Sequence, residues 1–173
     1  WRHRASAWWV ADSAAVADFA RYRIGVAPGR LMLWPIFRAD RQARRAESWR
    51  PGEAVRIGSL GRLHPVKGYD VLADALARVD ARATIGGEGA AGAALARSGR
   101  IDLAGYAEDP RDFLAALHLY VQPSRSEGFC VAAHEAMQAG LPVIASAVGE
   151  MAHSVLPGTT GWLVPPGDPA ALA

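Results

Sequence analysis

At 173 residues, with 51% hydrophobic residues and a mean hydropathy of +0.04, the chain is long enough for one packed core and too apolar for a disordered segment. It contains no run of about 18 apolar residues, which excludes a membrane-spanning helix. The net charge of +2 conceals an uneven spread: ten Arg against four acids in residues 1–50, and nine basic residues against thirteen acids in residues 51–173. The basic first third reads as a solvated face with an Arg-rich linker; contact with anionic lipid, an acidic substrate or nucleic acid is the alternative.

In chain order, the apolar run Ala7–Ala11 predicts a buried strand, and Asp12-Ser13 then caps a helical segment reaching to about Ile24. Leu31–Trp34 is a second strand, stopped by Pro35. From Ile36 to Pro51 the pattern is lost, which predicts an interdomain linker with a helical stretch around Arg41–Glu47. A regular rhythm follows. Strands are predicted at Ala54–Leu60, Ala83–Ile85, Ile101–Leu103, Leu119–Val121, Pro142–Ala145 and Trp162–Val164. Helices are predicted near Tyr69–Val79, Ala90–Arg97, Pro110–Leu117, Val131–Ala139 and Met151–Leu156. This alternation implies parallel βαβ units and an α/β, doubly wound, Rossmann-like sheet. The sequence lacks an initiating Met and ends just inside a helix capped by Asp168-Pro169, so a stretch cut from a longer polypeptide is expected. A single cysteine, Cys130, leaves no internal disulfide and fits a reducing, cytoplasmic setting.

Ligands of doubly wound sheets bind beyond the carboxyl ends of the strands, so the loops after each strand carry the information. The first runs from Gly58 to Gly68 and holds Gly61, Arg62 and Lys67, the only Lys among nineteen cationic residues. A guanidinium fork and a movable ammonium beside glycines suit phosphate; two solvated cations in a surface turn is the competing reading. The second, Gly86-Gly87-Glu88-Gly89, reads first as a tight turn, with a ligand loop as the alternative. The third, Pro123–Ala136, carries Glu127, Gly128, Phe129, Cys130, Val131 and Glu135. A helix starting near Cys130 or Val131 presents unpaired N–H groups to a leaving phosphate. The two acids, eight residues apart, can address the hydroxyls of a ribose and a hexose. A dipole-favouring acid and a plain surface Glu are the alternatives for them. His64, His118 and His134 share no metal-ligand spacing and read as structural.

The glycine loop with Arg62 and Lys67 five apart, the glycine-rich turn, Ser124-x-x-Glu127-Gly128-Phe129 and Glu127-x7-Glu135 occur in this order. Together with Ala136–Ser146 and Gly161–Asp168, they resemble the retaining glycosyltransferases of the GT4 family over residues 54–173. The resemblance implies a GT-B fold, with residues 1–37 ending an acceptor domain, 38–52 linking and 53–173 forming an incomplete donor domain. It implies that Arg62 and Lys67 hold the donor diphosphate. Amides of Gly128–Val131 would close on it, Glu135 would bind the ribose diol and Glu127 the transferred sugar. The base would lie near Gly105–Glu108. Gly61 and Gly87 would lie close against the donor. The expected reaction moves a hexose from a nucleotide-diphosphate sugar to a glycan, lipid-linked glycan or small-molecule acceptor, with retention. No Asp-x-Asp occurs, so neither metal nor cofactor is expected; nucleic acid is not an expected partner, and contact with the inner membrane face is the one peripheral association foreseen. Cys130 stands where the family commonly has Gly and is expected to narrow the sugar pocket; His153 stands where a Glu is common. A non-catalytic nucleotide-sugar-binding module, an epimerase or a phosphorylase of the same architecture are the rivals.

Overall fold

The computed structural model describes residues 8–36 and 43–173. Two parallel sheets are present. The smaller pairs β1 (Trp9–Ala11) with β2 (Leu31–Leu33) in the register Trp9↔Leu31. Between them runs α1 (Ala14–Phe19), continued as one wider turn over Ala20–Ile24 and ended by Gly25 in the left-handed region. Ser13 caps it as expected: its hydroxyl accepts from the Val16 N–H at 3.2 Å. The first residue of the predicted strand, Ala7, lies outside the described residues, as does the proposed domain boundary at 37–38.

The larger sheet has six parallel strands: β3 (Ile57–Leu60), β4 (Ala83–Gly86), β5 (Ile101–Gly105), β6 (Leu119–Gln122), β7 (Val143–Ser146) and β8 (Gly161–Val164). Their spatial order is β5-β4-β3-β6-β7-β8. The chain thus winds one way from β3 and then the other from β6, the doubly wound topology expected. Alternate strand residues divide the interior in two. Leu60 and Tyr120 pack on one face with Leu114, Ala133, Ala136 and Met151, which belong to α4 (Pro110–Ala115), α5 (Val131–Gln138) and α6 (Met151–Ser154). Ile85 and Val121 pack on the other with Leu72, Leu76 and Leu95 of α2 (Tyr69–Arg78) and α3 (Gly92–Arg97), and with Leu172 of α7 (Pro169–Leu172). Helices therefore cover both faces, as a parallel sheet requires. In α2 the buried Tyr69, Leu72, Ala73 and Leu76 fall at helical spacing, while Asp70, Asp74 and Arg78 face water.

Where structure and expectation differ, the backbone is bound elsewhere. No helix forms in residues 43–50, although one is expected around Arg41–Glu47; residues 41 and 42 lie outside the described part. The Ala46 N–H instead donates to the Ala139 carbonyl at 2.9 Å, and Ala46 packs against the core beside α5. That holds the segment extended along the end of α5. The strand expected from Ala54 starts only at Ile57, the first residue with partners on both neighbouring strands. The helix expected from Ala90 starts at Gly92 because the Ala91 N–H is taken by the Leu63 carbonyl at 3.0 Å. The last helix of the rhythm stops at Ser154, where Val155 turns extended. Asp168 caps α7, accepting from the Ala170 and Ala171 N–H groups at 2.9 and 3.0 Å. Among the described residues no helix is long and apolar enough to cross a membrane.

Candidate functional site

The winding reverses between β3 and β6, so the loops after these two strands face each other across the crevice where such sheets take ligands. They are in contact. Gly68, at φ +67°, lies where an added Cβ would stand 2.0 Å from the Pro123 carbonyl oxygen. The Arg125 N–H donates to the Val66 carbonyl at 2.8 Å. On the other side the loops after β3, β4 and β5 interlock through glycines. The Gly61 N–H donates to Gly86 at 2.9 Å and the Gly87 N–H to Gly105 at 2.6 Å. A Cβ on Gly87 would meet the Gly61 carbonyl at 2.0 Å. Gly87 thus lies tight against the Gly61 backbone, and this compactness leaves room above it.

That room is a cavity of ≈ 510 Å³, large enough for much of a nucleotide. Gly61, Arg62, Gly87, Val131 and Glu135 of the expected residues line it; Glu88 and Tyr106 do too. The opening turn of α5 thus closes one wall, where first-turn N–H groups have no intrahelical acceptor. Gly105 has φ +74° and delivers the chain to Tyr106, which is 74% exposed at the rim. Ala107 and Pro110 continue that wall, inside and just beyond the stretch where the base is expected.

The remaining expected residues, Lys67, Glu127, Gly128, Phe129 and Cys130, do not line this cavity; the Lys67 stem comes within 3.7 Å of where a Cβ on Gly61 would stand, and Gly61 does line it. Lys67 Nζ donates to Glu127 Oε1 at 2.6 Å, with the Glu127 side chain only 8% exposed. The same oxygen accepts from Ser124 Oγ at 2.6 Å and Gln122 Nε2 at 3.1 Å. Gln122 in turn accepts from the Tyr120 hydroxyl at 2.9 Å, which lies against the Leu60 backbone of β3. A buried polar chain therefore runs from β3 to the Lys67–Glu127 pair. Reasoning from sequence missed Gln122 and Ser124 as parts of it. The signal was faint: two polar residues at period-2 spacing at the end of an otherwise apolar strand.

Cys130 has φ +61° and ψ +69°, the left-handed region that glycine enters without strain, and it forms the N-cap of α5. Its side chain belongs to the core cluster that holds Leu60, Tyr120 and Ala133 and does not line this cavity. Burial, with the Glu127 carboxylate beside it, pushes the thiol up to about 12. Phe129 stacks on the His134 ring, centroids 4.1 Å apart. His134 also bonds the Cys130 carbonyl and Ser154 Oγ, both at 2.9 Å. His64 accepts from the Val66 N–H and His118 from the Arg56 N–H, each at 3.2 Å. All three brace backbone, as their spacing suggested; His153 is exposed. The start of α1 reaches this edge as well. The Ala15 N–H donates to Glu150 Oε2 at 3.2 Å, while the Glu150 N–H donates to the Gly128 carbonyl at 2.9 Å.

Residues 54–173 match the family described as Glycosyl transferases group 1. The D-inositol 3-phosphate glycosyltransferase of Streptomyces scabiei is 36% identical over 156 residues, which cover 77% of this chain and 35% of that protein. A GDP-mannose-dependent alpha-mannosyltransferase of Mycobacterium tuberculosis is 32% identical over 123 residues, covering 69% and 32%. The chain thus spans about a third of the length of these curated relatives. Sucrose-phosphate synthase from Thermosynechococcus elongatus superposes with a TM-score of 0.78 at 28% identity, over 94% of this chain and 46% of that one. HepE of Anabaena, solved with UDP and glucose, reaches 0.78 at 24% identity over 99% and 53%, a likeness of fold. Sequence and fold agree: the chain belongs to the group 1 glycosyltransferases.

Proposed function

We propose that this chain forms the donor-binding part of an enzyme that moves a hexose from a nucleotide-diphosphate sugar to a hydroxyl of a glycan, a lipid-linked glycan or a small molecule. The observation that carries the reading is the cavity at the reversal of the sheet. Arg62, the start of α5 and Glu135 line it together, and Lys67 lies at its edge. Transfer requires a nucleoside diphosphate to leave an anomeric carbon, so negative charge grows on the leaving phosphate. The Arg62 guanidinium, the Lys67 ammonium and the amides of Gly128–Val131 stabilise that charge. Glu135 accepts from the ribose diol, Glu127 from the sugar hydroxyls, and the base rests against the wall at Tyr106 and Ala107. Gly61 and Gly87 keep the backbone low beneath the diphosphate.

The donor is already activated, so the reaction proceeds without a cofactor, and the two cationic side chains take the part a metal ion would otherwise play. The acceptor attacks on the leaving-group face, giving retention, a reading supported by the resemblance in the motifs. Residues 1–37 and 53–173 belong to two domains on either side of the linker 38–52, in a cytoplasmic protein that works at or near the inner face of the membrane.

In the intact protein, Arg62→Ala and Lys67→Ala should each lower transfer from a labelled nucleotide sugar about a hundredfold or more, because each removes one stabiliser of the leaving group. Near-normal turnover in both variants would discard the assignment. Saturable donor binding without transfer by the unaltered protein would favour a non-catalytic binding module instead.

A further inference from the structure

We propose that Glu127 discriminates the intact donor from its nucleoside-diphosphate product, by retaining Lys67 until sugar hydroxyls take the place of the ammonium. The inference rests on the donor-site reading above and adds a selective role for the ion pair itself. Its two members are unequally held. Glu127 Oε1 is bound from beneath by Ser124 Oγ at 2.6 Å and Gln122 Nε2 at 3.1 Å, and those two side chains are buried. Gln122 is fixed further down by the Tyr120 hydroxyl. Lys67 has no comparable anchor among the hydrogen bonds of the described residues. Its only such bond through Nζ is the 2.6 Å contact to Glu127. Its stem passes 3.7 Å from the position a Cβ on Gly61 would occupy, and Gly61 lines the cavity. The acid is therefore the fixed member and the cation the movable one.

The consequence is electrostatic. In the empty site the charge of Lys67 is already matched by Glu127. A diphosphate that draws Lys67 towards the cavity strips a carboxylate only 8% exposed of its counter-charge and places a second anion near it. A nucleotide sugar compensates, because its hydroxyls can donate to Glu127 in place of the Lys67 ammonium. A bare nucleoside diphosphate brings no such donors at that end. The ion pair thus opposes the product more than the donor, and favours product release after transfer.

The test measures dissociation constants of UDP and UDP-glucose, and of GDP and GDP-mannose, by titration calorimetry on the intact protein. Glu127→Gln should tighten the nucleoside diphosphate and weaken the nucleotide sugar, so that the ratio of the two constants moves by about tenfold, the scale of a hydrogen bond to a charged group. In a Lys67→Met background, Glu127→Gln should no longer tighten the diphosphate. Unchanged or weaker diphosphate binding in Glu127→Gln overturns the proposal, and so does equal tightening with and without Lys67. Should Glu127→Gln lose its cooperative thermal transition, Glu127→Ala takes its place with the same expected direction. Binding of no nucleotide in the panel by the unaltered protein would overturn the donor-site reading itself, and this proposal with it; binding by the unaltered protein with an unmoved ratio would overturn this proposal alone.

Discussion

The two halves of the six-stranded sheet end in opposite ways. Beyond β3, β4 and β5 the chain runs into glycines: Gly61, Gly86-Gly87 and Gly105. Their amides and carbonyls bond each other directly, Gly61 to Gly86 and Gly87 to Gly105. At and beyond the end of β6 the space is instead filled with side chains: Gln122, Ser124 and Glu127 joined by hydrogen bonds, and Phe129 stacked on His134. One half makes room by leaving atoms out; the other supplies polar groups held in fixed positions. The cavity belongs mainly to the first, with α5 from the second closing it.

The largest expected effect attacks the glycine half. Gly87→Ala puts a methyl 2.0 Å from the Gly61 carbonyl oxygen and should cost about 3 kcal/mol of stability, since neither backbone can yield independently. Gly105→Ala is the matched control. It too has a positive φ, but nothing lies within 4 Å of the new methyl, so only the left-handed backbone penalty of about 1–2 kcal/mol applies. Urea denaturation of both variants checks the difference. Equal costs would mean that the close approach of the loops is unimportant.

This contrast also explains what could be read without coordinates. Glycine announces itself, and strands running into glycines and then helices at regular intervals marked both the doubly wound sheet and the loops that line the cavity. Arg62 and Glu135 could be placed because each sits at a fixed offset from such a loop or from the start of α5. The buried polar chain could not. Gln122 and Ser124 acquire meaning only when Glu127 folds back over the end of β6, and sequence spacing does not say which way a loop folds. The segment after residue 43 was misjudged for a related reason. Its composition permits a helix, but the carbonyl at the end of α5 captures its Ala46 amide. Cys130 shows the limit from the other side: the departure from glycine was visible in the sequence, whereas the direction of the thiol was not.

A smaller effect is expected at the rim. Tyr106 is 74% exposed and contributes to the cavity wall, so it adds little to folding but offers an aromatic face to a planar ring. Tyr106→Ala should weaken nucleotide binding about fivefold or more, the scale of one base-stacking contact. The melting temperature should stay where it is. A fall in melting temperature without loss of affinity would assign Tyr106 to the fold and move the base elsewhere along the wall.

The smallest effect concerns the stitch between the halves. Arg125, in the loop after β6, makes two 2.7 Å bonds to the Asp70 carboxylate on α2 and a third, of 2.9 Å, to the Pro65 carbonyl. It thereby ties the side-chain half to the loop that carries Lys67. The Arg125 hydrogen bonds hold the Asp70 carboxyl below its ordinary value of 3.8. Because the folded value is depressed, the pair stabilises fully above the unfolded value. That contribution fades as pH falls through 3.8 towards the folded value, where the carboxyl protonates. Both side chains are exposed, 41% for Arg125 and 62% for Asp70, so water and salt screen them and Arg125→Ala should cost no more than about 1 kcal/mol at neutral pH. The difference between variant and unaltered protein should shrink when denaturation is repeated in high salt or near pH 3. If it stays the same there instead, the bond to the Pro65 carbonyl, and not the charge pair, is what joins the two loops.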